Sequence, residues 1–250
     1  MSILAIIPAR MASSRFPGKP MIKIVEKPMI GHVYERVSKS KILDKVIVAT
    51  CDNEILNYIE SIGGEAVLTS DKHERASDRC AEALLKTELK YNIKYDIVLM
   101  VQGDEPLIIP EMIEQAINPM ILDNTINVVN LMAKITDKVE FEDRNCIKVV
   151  CDLHSNALYF SREPIPTQTR SNLALMFKQV CIIPFKRDFL IEYNSLMPTP
   201  LEISESVDMM RVLEHGYKVK MVKTEYETQS VDTPNDLLKV ESAIKSNNLA

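Results

Sequence analysis

The sequence predicts an α/β fold: a doubly wound, mostly parallel sheet with a β-rich excursion in its second half. Three observations carry this expectation. Residues 2–8, 45–50 and 96–102 are short apolar runs rich in β-branched side chains, as strands covered on both faces of a parallel sheet should be. Segments of helical periodicity lie between them, giving a β-α-β-α-β-α-β rhythm. After residue 125 that rhythm gives way to strand-like segments with little helix between them.

Taken in order, the first run, Ile3-Leu4-Ala5-Ile6-Ile7-Pro8, starts almost at once after Met1. It is too short and lacks the basic start of a signal peptide, so it reads as a buried first strand. A helix is predicted over 29–39 from Ile30, Val33 and Val37, a strand over Lys45-Val-Ile-Val-Ala-Thr50, and a helix over 53–62 that Gly63-Gly64 stops. Glu65-Ala-Val-Leu-Thr69 is a further strand, 76–88 a helix through Ala81, Ala83, Leu84 and Leu85, and Asp96–Gln102 the next strand. Ligands of such sheets sit beyond the carboxyl ends of the strands. Strands are then expected at 126–135, 146–151, 156–160 and 178–184, a helix at 203–215, a strand at 217–224 and a last helix at 234–246. With no repeat or low-complexity linker, residues 1–250 read as a single domain: a core over 1–125, an excursion over 126–225 and a return helix over 226–250.

Bulk composition narrows the function classes. Hydrophobic residues make up 46% of the 250 and charged residues 26%, a balance that suits one folded domain and excludes disorder. No apolar run approaches the roughly 18 residues a membrane helix needs, so no membrane partner is expected. Five cysteines form no Cys-x-x-Cys pair and leave one over in any disulfide scheme, which favours reduced thiols in the cytoplasm and argues against zinc. A net charge of −5 argues against general nucleic-acid binding. Yet Arg10, Arg15, Lys19 and Lys23 all precede the first acidic residue, Glu26, so an acidic chain opens with a local site for a polyanion.

The strongest motif is Ile7-Pro-Ala-Arg10-Met-Ala-Ser-Ser-Arg15-Phe-Pro17-Gly18-Lys19-Pro20, which leaves a buried strand without helical periodicity. Arginine offers planar paired donors to phosphate oxygens and lysine a point charge. Gly18 lets the main chain approach closely, while Pro17 and Pro20 stiffen the turn. The competing reading is a solvated surface loop. The glycines, at 18, 31, 63, 64, 103 and 216, form neither a Walker loop nor Gly-x-Gly-x-x-Gly, which disfavours a dinucleotide oxidoreductase.

With Lys27-Pro-Met-Ile30, Val48-Ala-Thr50, Val101-Gln-Gly-Asp-Glu-Pro106, Ala157-Leu-Tyr-Phe-Ser-Arg162, Pro200-Leu-Glu202 and Val231-Asp-Thr-Pro234, this motif resembles the 3-deoxy-manno-octulosonate cytidylyltransferase (CMP-KDO synthetase) family over essentially the whole chain. The resemblance implies a nucleotide-diphospho-sugar transferase fold, a homodimer, and a role in lipopolysaccharide or capsule biosynthesis. It implies CTP as one substrate and a small acidic acceptor as the other. Catalytic roles would fall to Arg10, Lys19 and Asp104, and nucleotide binding to Ala9, Arg10, Arg15, Lys19, Thr50, Ser77, Arg79 and Gln102. Asp104 and Asp232 would hold Mg2+, an ion that takes one or two carboxylates plus substrate phosphates. Asp232 before Thr-Pro has a competing reading as a helix cap, and Asp78-Arg79 as the cap and solvated face of the helix they open.

On the acceptor side the resemblance implies Arg162, Gln179, Glu205 and Asp208, with Arg162 as a clamp for a carboxylate. Here the chain departs from the family pattern. Lys178-Gln-Val-Cys-Ile-Ile-Pro-Phe185 lacks a histidine and two tyrosines that relatives carry, and Met209 stands where they have glutamine. A site for a polyol depends on paired polar groups. The family resemblance implies KDO or a KDO-like 3-deoxy sugar acid as acceptor, and the missing polar groups weigh against KDO itself. A different acid such as a phosphonate, or a catalytically idle nucleotide binder, is the alternative.

Overall fold

In a computed structural model that describes residues 1–12, 16–170, 175–226 and 229–246, the first apolar run forms β1 (Ile3–Ala9), buried at all seven positions. The residues group into two units, Met1–Glu114 with Glu227–Ala250, and Gln115–Tyr226. In the first unit β1 leads through a 3-10 turn (Lys19–Met21) and a small hairpin, β2 (Lys23–Ile24) and β3 (Lys27–Pro28), into α1 (Met29–Val37). There follow β4 (Lys45–Thr50), α2 (Asn53–Ser61), β5 (Ala66–Leu68), α3 (Ala76–Tyr91) and β6 (Ile97–Val101). β1, α1, β4, α2, β5, α3 and β6 answer to segments predicted above, within a few residues at their ends, whereas the 3-10 turn and the β2–β3 hairpin had no predicted counterpart.

β1 pairs in parallel with both β4 and β6, and β4 with β5, so the order is β6-β1-β4-β5. Their carboxyl ends, at Val101, Ala9, Thr50 and Leu68, therefore release four loops on one side of the unit. This is the physical consequence of the uninterrupted apolar runs: strands flanked on both edges and covered on both faces need no polar alternation.

Beyond β6, helix α4 (Pro110–Leu122) carries the chain out of this unit. The sequence reading passed over it, although Pro110 and Glu111 suit a helix start and Met112, Ile113, Ala116, Ile117 and Met120 are buried at helical spacing. Pro119 inside the helix masks the pattern.

The second unit contains β7 (Val129–Lys134), α5 (Lys138–Glu142), β8 (Lys148–Cys151), β9 (Ala157–Ser161), β10 (Phe177–Val180), β11 (Ile182–Lys186), α6 (Arg187–Ser195), α7 (Pro200–Glu205), α8 (Asp208–Glu214) and β12 (Lys220–Thr224). Its sheet is mixed, β12-β7-β10-β8-β9, with only β12 and β7 parallel. Two expectations need correction here. The strand expected at 178–184 is two strands broken at Cys181, each in a different sheet, and the Nδ2 of Asn130, fully buried on β7, donates to the Val180 carbonyl at 2.7 Å beside the break. The helix expected at 203–215 is two helices parted by Ser206 in the left-handed region, φ 53°. A buried two-point ion pair rejoins them: Arg211 Nε to Glu202 Oε2 at 2.7 Å and Nη2 to Oε1 at 2.6 Å.

The chain returns to the first unit as α9 (Pro234–Ser246). Val231, Val240 and Ile244 close a core with Ile24, Met29 and Leu107, against which Phe16 packs. That cluster seats the last segment against the β2–β3 hairpin and the turn before it. Among the described residues, no helix is long and apolar enough to cross a membrane.

Candidate active site

The motif that leaves β1 is folded back on itself. Gly18 adopts φ 71°, a left-handed conformation that favours glycine, and its N–H donates to the Met11 carbonyl at 3.0 Å. The 3-10 turn that follows has Pro20 buried and aims the Lys19 side chain inward. Lys19 Nζ donates to Asp104 Oδ2 at 2.5 Å and to Asp232 Oδ1 at 3.3 Å. All three side chains are mostly covered, at 12%, 19% and 14% exposure. Burial opposes the charge of Lys19, but the two carboxylates outweigh it and hold its pKa above the ordinary value.

Two local features deliver the acids. Gly103, just after β6, runs so close to the end of β1 that a Cβ there would lie 3.1 Å from Ile30 Cδ1 and 3.2 Å from the Pro8 carbonyl. Only glycine passes there without displacing its neighbours, and Asp104 follows. The Asp104 carbonyl then takes the Val231 N–H at 3.0 Å, which brings Asp232 alongside. The helix cap at this point is made by others. Asp236 Oδ2 accepts from the Thr233 N–H and hydroxyl, at 2.9 and 2.8 Å, and Thr233 Oγ1 takes the Asp236 N–H at 3.3 Å. Asp232 is not the cap, and its carboxylate faces Lys19.

The loop after β5 is pinned from three directions. Arg79 Nη1 donates to Thr69 Oγ1 and, at 3.2 Å, to the Ser70 carbonyl. Glu82 accepts from the Ser70 N–H at 2.9 Å and bonds to His73 Nε2. Arg10 Nη1 donates to the His73 carbonyl at 3.4 Å, tying this loop to the cationic one. The competing reading of Arg79 as a solvated helix residue is thereby set aside: it is 3% exposed and turns back to the loop. Thr50 and Ser77 are fully buried, and Ala9 is 7% exposed. Thr50 Oγ1 takes the Asp52 N–H at 3.1 Å. In this structure these side chains support the loops from within and do not line an open surface. Gln102 is half-buried, its carbonyl taking the Glu105 N–H at 3.2 Å. Arg15 lies outside the described residues.

In the second unit Glu205 is a hub. It accepts from Tyr159 Oη at 3.1 Å, Ser161 Oγ at 3.2 Å and the Arg162 N–H at 2.8 Å. Arg162, expected as a carboxylate clamp, is engaged with the main chain in this structure. Its Nε, Nη1 and Nη2 donate to the carbonyls of Glu205, Arg144 and Ser206, at 2.6, 2.9 and 3.3 Å. Two of those bonds hold the break between α7 and α8, where the Glu205 and Ser206 carbonyls would otherwise lack helix partners, and the third ties that break to Arg144. Gln179 Nε2 donates to Asn130 Oδ1 at 2.6 Å, and Asp208 opens α8 with its carbonyl on the Tyr193 hydroxyl at 3.1 Å. Met209 is fully buried.

A cytidylyltransferase family model matches residues 4–224. The chain belongs to the cytidylyltransferase family. It is 42% identical over 251 residues to the 3-deoxy-manno-octulosonate cytidylyltransferase of Geobacter metallireducens, covering 96% of each chain. It is 41% identical over 249 residues to the enzyme of that name from Fusobacterium nucleatum subsp. nucleatum, covering 100% of this chain and 99% of the relative. Its fold matches the structure of CMP:2-keto-3-deoxy-manno-octonic acid synthetase complexed with CTP at a TM-score of 0.89, with 35% identity over 99% of this chain and 100% of the other. The protein is thus a nucleotidyltransferase with the α/β architecture predicted.

In this cytidylyltransferase the sequence reading missed Asp52 and Glu82, whose carboxylates hold the Met11 and Ser70 amides at 2.8 and 2.9 Å. Asp52 stands just before a helix, where an aspartate reads as a cap, so no local signal marked it for a partner 41 residues away. Thr233-x-x-Asp236 was legible as a reciprocal cap and would have separated Asp232 from that role.

Proposed function

We propose that this cytidylyltransferase transfers CMP from CTP to 3-deoxy-manno-octulosonate and releases pyrophosphate. One observation carries the reading: Lys19, Asp104 and Asp232, from three distant segments, meet at one covered point beside the carboxyl ends of β1 and β6. The relatives named for that reaction support it.

In the reaction an acceptor hydroxyl oxygen attacks the α-phosphorus in line. The bond from that phosphorus to the bridging oxygen breaks, pyrophosphate leaves with the electron pair, and the hydroxyl proton passes to water. No protein nucleophile is required, so catalysis is positioning and charge neutralisation. Lys19 and Arg10 offset charge on the phosphate oxygens, and Arg15 does so at the β and γ groups. Gln102 and the main chain at Ala9 contact the nucleoside, while Thr50, Ser77 and Arg79 hold the surrounding loops in register.

Cytidylyltransferases generally use a divalent metal. The residues present fit one: two carboxylates, both hard oxygen donors, share a position that already stabilises a positive charge. Mg2+ takes one or two carboxylates and completes its shell with phosphate and water. Held by Asp104 and Asp232, it would supply positive charge to the phosphate oxygens.

A second reading keeps CTP and changes the acceptor to another small acid, such as a phosphonate. The buried, apolar Met209 and the committed amide of Gln179 favour it. The family resemblance adds a cytoplasmic homodimer to both. Purified protein with CTP, a divalent metal and a panel of KDO, related sugar acids and phosphonates should release pyrophosphate fastest with KDO. A preference for a phosphonate would select the second reading, and no release with any acid would leave a nucleotide binder.

A further inference from the structure

We infer that Asp52 is a positioning residue for the CTP site, holding the main chain of the cationic loop through the Met11 amide. The inference deepens the cytidylyltransferase reading and rests on it.

Asp52 occupies the position before the first residue of α2, with extended backbone angles of −111° and 120°, and its carbonyl takes the Leu56 N–H at 3.1 Å. An aspartate there ordinarily turns its carboxylate onto the exposed N–H groups of the first helical turn, gaining about 1 kcal/mol. This one makes no such bond. Its Oδ2 accepts instead from the Met11 N–H at 2.8 Å. A favourable local partner is given up for one across the sheet.

What that distant bond fixes is the base of the loop. Met11 is joined to Asp52 by its N–H and to Gly18 by its carbonyl, at 2.8 and 3.0 Å. Gly18 is followed by Lys19, whose ammonium reaches Asp104 and Asp232. Arg10 lies on the other side of Met11, between that anchor and Ala9 of β1. One carboxylate thus restrains both cations of the motif that lie among the described residues.

The anchor is itself rigidly held. The Asp52 N–H donates to Thr50 Oγ1 at 3.1 Å, Thr50 is fully buried, and it stands opposite Ala9 in the β1–β4 register. The Cys51 thiol adds a donor to the same Oδ2 at 3.5 Å. A carboxylate by itself repels a triphosphate, and the Oδ2 of Asp52 is committed to the Met11 N–H, so the part assigned to Asp52 is to direct the groups that attract phosphate.

The test pairs Asp52→Ala with Asp52→Asn, which keeps an accepting oxygen in place. Three readouts are needed: hydrogen exchange at the Met11 amide, CTP affinity by calorimetry, and KM for each substrate. In Asp52→Ala, Met11 should exchange faster and CTP should bind at least about 10-fold more weakly, as loss of a charge-assisted hydrogen bond implies. The KM for the acceptor and the melting temperature should hardly move, since the helix loses no cap. Asp52→Asn should restore CTP affinity to within about 3-fold, because its carbonyl oxygen can accept from the same amide. The inference is overturned if Asp52→Ala leaves Met11 exchange or CTP affinity as in the parent, or if both variants lose CTP and acceptor affinity alike with a lowered melting temperature. If the parent protein binds no CTP, the cytidylyltransferase reading falls and the inference with it. An unchanged Met11 exchange rate in Asp52→Ala would sink the inference alone.

Discussion

Lys19 Nζ lies 2.5 Å from Asp104 Oδ2, joining the turn after β1 to the turn after β6 across 85 residues of sequence. The two adjacent parallel strands end side by side, so their next residues face each other, and Asp232 enters from a third segment to share the ammonium. A cation flanked by two anions is poised to exchange partners when a triphosphate and a divalent metal arrive together. In the proposed reaction the lysine would meet phosphate oxygens and the carboxylates would hold the metal.

Replacing Lys19 by Met should therefore act on both charges. It removes a phosphate partner and leaves two covered carboxylates facing each other. Turnover with CTP should fall by roughly 100-fold or more, and unfolding at neutral pH should become easier by about 1–3 kcal/mol. Adding a divalent cation without CTP should raise the melting temperature of Lys19→Met more than that of the parent. Urea titrations and thermal scans with and without metal check this independently of activity.

The stability of the loop after β5 should depend on acid pH through Glu82. Its carboxyl is held at about 2 against an ordinary 4.5: burial works against ionisation, but Lys86, the Ser70 N–H and His73 outweigh it. A depressed acid stabilises the fold fully above its unfolded value and loses that contribution as pH falls from about 4.5 through about 2. Glu82→Gln should cost of the order of 1 kcal/mol at neutral pH, allowing for solvent screening of a partly exposed group. The difference from the parent should vanish near pH 2, as read by denaturant unfolding across that window.

Glu205→Ala should separate the two substrates. It strips the acceptor oxygens from Tyr159, Ser161 and the Arg162 N–H. Disorder of that turn should raise the acceptor KM about 10-fold or more, with the KM for CTP within about 2-fold of the parent. Steady-state kinetics with each substrate varied in turn check it. An equal rise in both constants would mean the hub is general scaffolding.

Much of this arrangement was legible before any coordinates. The buried strands and the helices α1, α2 and α9 announced themselves by uninterrupted apolar runs, helical spacing and the Gly63-Gly64 and Thr233-Pro234 signals. Lys19 stood out in the cationic motif after β1, and the family resemblance implied Asp104 and Asp232. What the residues could not convey was direction. Thr50, Ser77 and Arg79, which the resemblance implied as nucleotide-binding, are buried, a property that their residue types do not reveal. Arg162 has the chemistry of a carboxylate clamp, yet its partners are main-chain carbonyls, which carry no residue signature. α6 escaped because the run of β11 passes into it without a turn residue, as Lys186-Arg187.

The most direct test compares pyrophosphate release by the parent and by Asp104→Asn, each with CTP, a divalent metal and KDO, after circular dichroism has shown both folded. The parent should turn over only when metal and acceptor are both present, and Asp104→Asn should lose at least about 100-fold. An Asp104→Asn protein as fast as the parent would contradict the shared site of Lys19, Asp104 and Asp232.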